Sequence, residues 1–229
     1  HLWRSLEGTG GATGCRPDSK ESAVYARSTN FQASPEKVGA GIQCVRDEVI
    51  PALQTMPGFV GLSLLVDRES GHCILTTAWD GEDAMQASTE TVRPLREHVA
   101  GVFGATASVD EWKIAAVHRD HHAAEGACVR ATWLRIRPDR FNQALHFYTS
   151  SVLSAIEELA GFCSASVLTQ PASRRAVVSA TYDSPAAMDR NRDAARSLRT
   201  NRLRDLGAEQ IDVGEFELAI AGLRVPEMV

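Results

Sequence analysis

The sequence predicts an α+β protein made of two tandem βαββαβ units that pack sheet to sheet within one chain. Three observations predict it. The chain repeats itself at a constant offset of 103 positions: Thr29 falls on Thr132, Pro35 on Pro138, Gly58-Phe59 on Gly161-Phe162, Asp80 on Asp183, Ala84-Met85 on Ala187-Met188, and Gly104-Ala105 on Gly207-Ala208. Each copy passes through the same succession of strand-like and helix-like apolar periods. The turn residues also fall at matching places, which marks a duplicated folding unit rather than chance similarity.

In copy one, Tyr25–Phe31 alternates as a strand, and Ser34-Pro35 then reads as a helix start, with an N-cap and a proline in the first turn. Val38, Ile42, Val45, Val49 and Leu53 follow at helical spacing, with Pro51 expected to bend the last turns and Pro57-Gly58 to end them. The apolar run Phe59–Val66, the polar turn Asp67–Gly71 and the run His72–Trp79 predict a hairpin. Asp80 or Gly81 caps a second helix reaching towards Val99, and Ser108–Val117 supplies the last strand. Copy two repeats this order. Phe141, Leu145, Tyr148, Val152, Ile156 and Leu159 line its first helix, Ser184-Pro185 starts its second, and Phe216–Ile220 closes it. The order is that of the ferredoxin-like motif, with both helices on one face of a four-stranded antiparallel sheet. The other face of each sheet is apolar and needs cover, so two units fused in one chain are expected to bury their open faces against each other as an intramolecular pseudo-dimer. A further homodimer through other surfaces is compatible with this. The expected organisation is an arm at 1–23, a first domain at 24–118, a linker at 119–126, a second domain at 127–223 and a tail at 224–229.

Bulk properties narrow the function. A formal charge of -5, with arginines scattered among acids, offers no basic stripe for a nucleic-acid backbone. No apolar run approaches the ~20 residues that span a bilayer, and His1–Ser5 lacks the apolar core of a signal sequence, so neither nucleic acid nor membrane is an expected partner and the cytoplasm is the expected location. The five cysteines, Cys15, Cys44, Cys73, Cys128 and Cys163, are dispersed and odd in number, and read as small core residues. His118-x-x-His121-His122 is rich in imidazole, but its place in a polar linker with only Asp120 nearby argues against a built metal site.

The strand end Ile74–Trp79 followed by Asp80–Met85, and Pro57-Gly58-Phe59 leading into its strand, resemble the antibiotic biosynthesis monooxygenase family of the dimeric α+β barrel superfamily. The resemblance covers both copies. It implies a barrel made from two ferredoxin-like units, with a pocket between each sheet and its helices. It also implies either oxidation of polyketide-derived aromatics by dioxygen without metal or flavin, or, in another branch, haem binding and degradation. The haem-ligating histidine of that branch falls on His98 and its pocket asparagine within one position of Asn30. Its distorting tryptophan would stand at Ser88 and is absent, and copy two has Asn201 where copy one has His98.

The candidate site residues follow from these matches. His98 is a candidate acid, base or ligand because imidazole titrates near neutrality. Arg93 with its counterpart Arg196, and Arg96 with its counterpart Arg199, could hold an enolate, carboxylate or phenolate. Trp79 and Tyr182, at equivalent strand ends, could stack on a planar molecule, and Tyr182 could also hydrogen-bond. Asn30 and Asn201 complete the candidate substrate contacts, whereas Asp80 and Asp183 read as helix caps. The leading expectation is a cofactor-independent monooxygenase acting on a small apolar aromatic or polyketide-like molecule, with no cofactor and no metal. The alternatives are a noncatalytic binding or scaffold protein, and a haem protein using His98.

Overall fold

The repeat read from the sequence is carried into the secondary structure almost residue for residue. The computed structural model describes residues 23–194, 196–197 and 206–228. Its first unit comprises β1 (Tyr25–Gln32), α1 (Val38–Cys44), α2 (Ile50–Gln54), β2 (Phe59–Val66), β3 (His72–Trp79), α3 (Glu82–Ala87), α4 (Thr89–Phe103) and β4 (Ala107–Arg119). The second comprises β5 (Cys128–Ile136), α5 (Phe141–Phe147), α6 (Leu153–Glu157), β6 (Phe162–Gln170), β7 (Arg175–Tyr182), α7 (Pro185–Arg190) and β8 (Ala208–Gly222). The predicted arm lies outside the described residues except for Ala23.

Local chemistry explains the shared landmarks. Gly58 and Gly161 end the first helical segments at φ of 78° and 82°, a left-handed geometry that side-chain-bearing residues resist. Ser184 caps α7 by accepting a hydrogen bond from the Ala187 amide at 3.2 Å, as its sequence context predicts. The first helices differ from a simple bent helix. A π-helical turn, Val45–Val49, separates α1 from α2, and the same turn recurs at Tyr148–Val152. Copy two has Ser154 where copy one has Pro51, so proline is not required for the irregularity.

All strand pairings are antiparallel, and their order, β1-β3-β2-β8-β5-β7-β6-β4, closes into a barrel. The two units do pack through their open sheet faces, and their edges also join. The closing strands are longer than the sequence pattern suggested, and each serves both units. β4 pairs with β1 over Ala107–Lys113 and then with β6 over Lys113–Arg119. β8 pairs with β5 over Ala208–Glu217 and then with β2 over Glu217–Gly222. Closure removes the unpaired edges that a lone four-stranded sheet presents.

The period-two pattern of the strands divides the apolar side chains between two cores. Val38, Val45, Leu53, Leu64, Leu75 and Phe103 bury one core between the first sheet and its helices. Ala26, Ile74, Trp112, Val177 and Phe216 share another core that spans both units. Each large side chain buried in this way contributes about 1.5–3 kcal/mol of hydrophobic stabilisation. Cys44, Cys73, Cys128 and Cys163 are buried free thiols, as expected of core residues. Among the described residues, no helix is long and apolar enough to cross a membrane.

Candidate functional site

The two repeats share a fold but fill their helix–sheet cores differently, and that difference makes a cavity. In repeat one, Phe31 and Phe103 stack with ring centroids 5.0 Å apart. Repeat two has Leu134 and Leu206 at these positions, and Ala176 in place of Cys73. A cavity of about 90 Å³ lies there, bounded among the described residues by β5, β6, β7, α5 and the π-helical turn; repeat one has a space of about 20 Å³ that corresponds to it only at the Thr29, Val49 and Leu75 positions and lies against α4. Its walls are aliphatic and aromatic apart from Thr132, Thr169 and Tyr148.

Tyr148 is the chemically distinctive wall residue. Its hydroxyl is buried with no hydrogen-bond partner among the described residues. Burial, assisted by nearby Tyr182, drives its pKa far above the ordinary phenol value, so it stays a neutral donor. An unpaired donor on a residue of an apolar cavity wall becomes a contact for one ligand oxygen once the wall yields to expose it.

Beside each helix–sheet core runs a buried arginine that sequence matching passed over. Arg27 and Arg130, 103 positions apart, are each only 3% exposed. Arg27 reaches Glu111 at 2.8 Å, Ser88 Oγ at 3.0 Å, the Met85 carbonyl at 2.9 Å and Thr89 Oγ1 at 2.8 Å. Arg130 reaches Glu215 at 2.8 Å and the Met188 carbonyl at 3.3 Å, while its Nη1 has no partner among the described residues. An arginine recurring at the same offset in the first strand of each repeat was the signal that could have found them.

A second cavity, about 260 Å³, occupies the barrel interior, where Ser63, Thr76, Ser166 and Ser179 present hydroxyls and Arg119, His121 and His122 lie on its wall. The segment after β4 is tied down here. The amides of Asp120 and His121 both donate to the Cys163 carbonyl, at 2.9 and 3.3 Å. Asp183 is not a helix cap, since Ser184 takes that role; its Oδ1 lies 2.8 Å from His121 Nε2 and 3.1 Å from Cys163 Sγ. Those two hydrogen bonds hold the Asp183 carboxyl below its usual range, and Asp183 and then Asp120 raise the His121 pKa. Burial, reinforced by Asp183, pushes the Cys163 thiol up to about 12, which makes it a poor nucleophile on its own.

The residues nominated from sequence do not gather into one site. His98 is 50% exposed, with Nε2 3.1 Å from Glu48 Oε2. Arg93 is exposed and pairs with Glu90 on its own helix, while Arg96 borders the 20 Å³ space of repeat one. Trp79 is wholly buried and donates to Thr77 Oγ1 at 3.1 Å. Tyr182 is buried in the core among Cys128, Ala187 and Met188. Asn30 lies on β1 opposite Ile74 and Ser108, and Arg196 is exposed. Asn201 lies outside the described residues. A haem held through His98 does not fit, because the adjoining space is far too small and the imidazole does not border it.

No family model matches the chain. Over nearly its full length, however, it is 57% identical to the uncharacterized protein Rv2558 of Mycobacterium tuberculosis, across 230 residues that cover 99% of this chain and 98% of that one. It is also 56% identical to the uncharacterized protein Rv2557 of that organism, across 223 residues that cover 96% and 100%. The chain belongs to their family. The Rv2558-family fold is in turn similar to an anthrone oxidase-like protein, with a TM-score of 0.63 at 15% identity over 87% of this chain and 92% of the other. It is also similar to an uncharacterized ferredoxin fold protein related to antibiotic biosynthesis monooxygenases from Listeria monocytogenes, with a TM-score of 0.52 at 10% identity over 88% and 98%. These likenesses show the fold, a tandem-repeat barrel of the antibiotic biosynthesis monooxygenase type, and at such identities they assign no chemistry.

Proposed function

We propose that the helix–sheet cavity of repeat two binds a small, single-ring apolar molecule through one oxygen, and that cofactor-independent oxidation by dioxygen is the reaction it serves. The buried, unpartnered hydroxyl of Tyr148, a wall residue of an otherwise largely apolar cavity, carries the proposal. Leaving such a donor unpaired costs about 1–3 kcal/mol, which a ligand carbonyl or enolate oxygen recovers. Size limits the occupant. About 90 Å³ is below the roughly 150 Å³ that admits benzene in a rigid core. A single ring therefore enters as the half-buried Leu145 and Phe147 yield, and polycyclic aromatics are excluded from this arrangement.

The chemistry follows from what the wall contains. A substrate methylene beside a carbonyl loses a proton, and the enolate passes one electron to dioxygen. The substrate radical and superoxide combine into a carbon–oxygen bond. Protonation of that peroxide and loss of water leave a carbonyl. One oxygen atom of dioxygen ends in the product and one in water. Tyr148 donates to the enolate oxygen, and the apolar walls exclude water from the intermediate. Among the described residues the wall holds no carboxylate or imidazole, so the scheme takes substrates acidic enough to arrive as enolates. The same observation favours a second reading, binding without turnover.

Calorimetric titration with single-ring phenols and enolisable ketones, alongside an oxygen electrode, tests both. Binding weakened about tenfold by Tyr148→Phe, with the loss of one hydrogen bond, supports the cavity, and oxygen uptake abolished by the same change supports the reaction. Binding without uptake leaves the noncatalytic reading, and the absence of binding defeats both. A further homodimer remains part of the proposal; it would have to use outer surfaces, because both sheet edges are consumed by barrel closure.

A further inference from the structure

We propose that His121 Nε2, Cys163 Sγ and Asp183 Oδ1 form a binding site for one borderline divalent cation, zinc being the best match, beside the barrel-interior cavity. The site is independent of the Tyr148 cavity. Its three residues come from three places: the exit of β4, the start of β6 and the residue after β7. Backbone bonds hold all three. The Asp120 and His121 amides grip the Cys163 carbonyl, and the Asp183 amide donates to the Gly161 carbonyl at 2.8 Å. The side chains are therefore presented on anchored backbone, which is what a built site requires.

The distances suit a small ion. The three ligand atoms all lie within 4.8 Å of one another, with 2.8 Å from Nε2 to Oδ1 and 3.1 Å from Sγ to Oδ1. Zinc bonds of about 2.0–2.3 Å in tetrahedral array place ligand atoms roughly 3.3–3.8 Å apart, so the two contacts to Asp183 Oδ1 need to open by about half an ångström. The hydrogen bonds converging on Asp183 Oδ1 are the contacts that a cation would replace.

Further features single out this cluster. Asp120 Oδ2 lies 2.8 Å from His121 Nδ1, the carboxylate–imidazole support that fixes a metal-binding ring with its other nitrogen turned to the ion. The donor set of thiol, imidazole and carboxylate selects zinc or a similar ion over magnesium or calcium. The fold alone does not generate the set: 103 positions away in the repeat stand Val60 for Cys163, Asp80 for Asp183 and Arg224 for His121. Three protein ligands also leave a coordination position open. His121, Ser164 and Thr181 border the 260 Å³ interior cavity, so a water or small oxygen ligand on the ion would sit next to a space of mixed polar and apolar lining.

Cobalt(II) and zinc(II) titration of the chelator-treated full chain tests the proposal. Cobalt is expected to bind once, with a thiolate-to-cobalt charge-transfer band and the intense visible bands of a low-coordinate ion, and zinc should displace it. Cys163→Val should abolish the charge-transfer band. His121→Arg, at a 42% exposed residue, should weaken binding at least tenfold with the circular dichroism unchanged. Asp120→Asn should weaken it about 10–100-fold while keeping the band. Cys44→Ala should change nothing; this control matters because Cys44, Glu48 and His98 form the other thiol–carboxylate–imidazole cluster among the described residues. No charge-transfer band in the wild type, a band that survives Cys163→Val, or a band lost in Cys44→Ala would overturn the assignment.

Discussion

The unpaired Tyr148 hydroxyl has a consequence for stability as well as for binding. A buried phenol with no acceptor has lost its water and gained nothing in exchange, so removing the oxygen relieves a penalty. Tyr148→Phe should leave the ligand-free protein unchanged or stabilise it by up to about 1 kcal/mol in denaturant titration. A loss of more than that would mean the hydroxyl is already satisfied. Arg27 is the opposite case, a fully used guanidinium whose charge is matched by Glu111. Arg27→Ala breaks this pair and removes the guanidinium donor from Ser88 Oγ and Thr89 Oγ1, while the Met85 carbonyl keeps the Ser88 hydroxyl. It should cost about 3 kcal/mol, towards the lower end for a buried pair because Glu111 is 36% exposed. At this scale the sequence was only partly legible. Identities between repeats drew attention to Arg93, Arg96 and Arg196, yet the informative positions were an arginine matched between the first strands of the two repeats and a set of mismatches. Cys163 and Asp183 meet across the β6–β7 pairing, but His121 reaches them only through the β4–β6 seam that closes the barrel.

Between elements, the packing of α1 on α4 decides which repeat has a cavity. A Cβ added at Gly41 would lie 2.0 Å from Phe103 Cε1, so the glycine exists to admit the ring. Repeat two makes the opposite choice, Ala144 with Leu206. Gly41→Ala alone should therefore destabilise the protein by about 1–3 kcal/mol through overpacking. Phe103→Leu alone should open a void and also destabilise. The double change, which installs the repeat-two pair, should recover part of the loss and appear as a favourable coupling in a double-mutant cycle. Strict additivity would show that the two positions do not compensate. Helix and strand order were legible because apolar periods and glycine turns are local signals. The cavity was not, because it depends on the summed volumes of side chains facing one another across a helix–sheet interface. The extra length of β4 and β8 was missed because the added residues, chiefly Ala208–Glu215 paired with β5, are largely polar and show no clear apolar alternation.

For the molecule as a whole, closure rests on two seams, and the β2–β8 seam carries groups that titrate in acid. His72 packs edge-on against Phe216 with centroids 5.3 Å apart, and Arg68 holds Glu217 through contacts of 2.6 and 2.9 Å. Burial lowers the His72 pKa, and the Asp212 and Asp67 charges facing it only partly oppose that effect. The unfolded chain then binds a proton more readily than the folded one. The stabilisation from neutral His72 is thus complete above the ordinary value of 6.5 and is lost as pH falls from there through the lower folded value. Glu217 is held below its ordinary 4.5, first by hydrogen bonding to Arg68 and then by the Arg68 and Arg46 charges, against a burial effect of opposite sign. Its contribution is present above 4.5 and disappears as pH falls through the folded value, and it is modest because both partners of the ion pair are over 40% exposed. Acid should therefore loosen this seam in two stages, the first below about pH 6.5 and the second in the carboxylate range. Amide hydrogen exchange, corrected for intrinsic rates, should show protection at Leu218–Gly222 falling before that of β5–β7. His72→Phe should remove the first stage, and Glu217→Gln the second. Uniform loss of protection around the barrel would show that the seam has no separate stability.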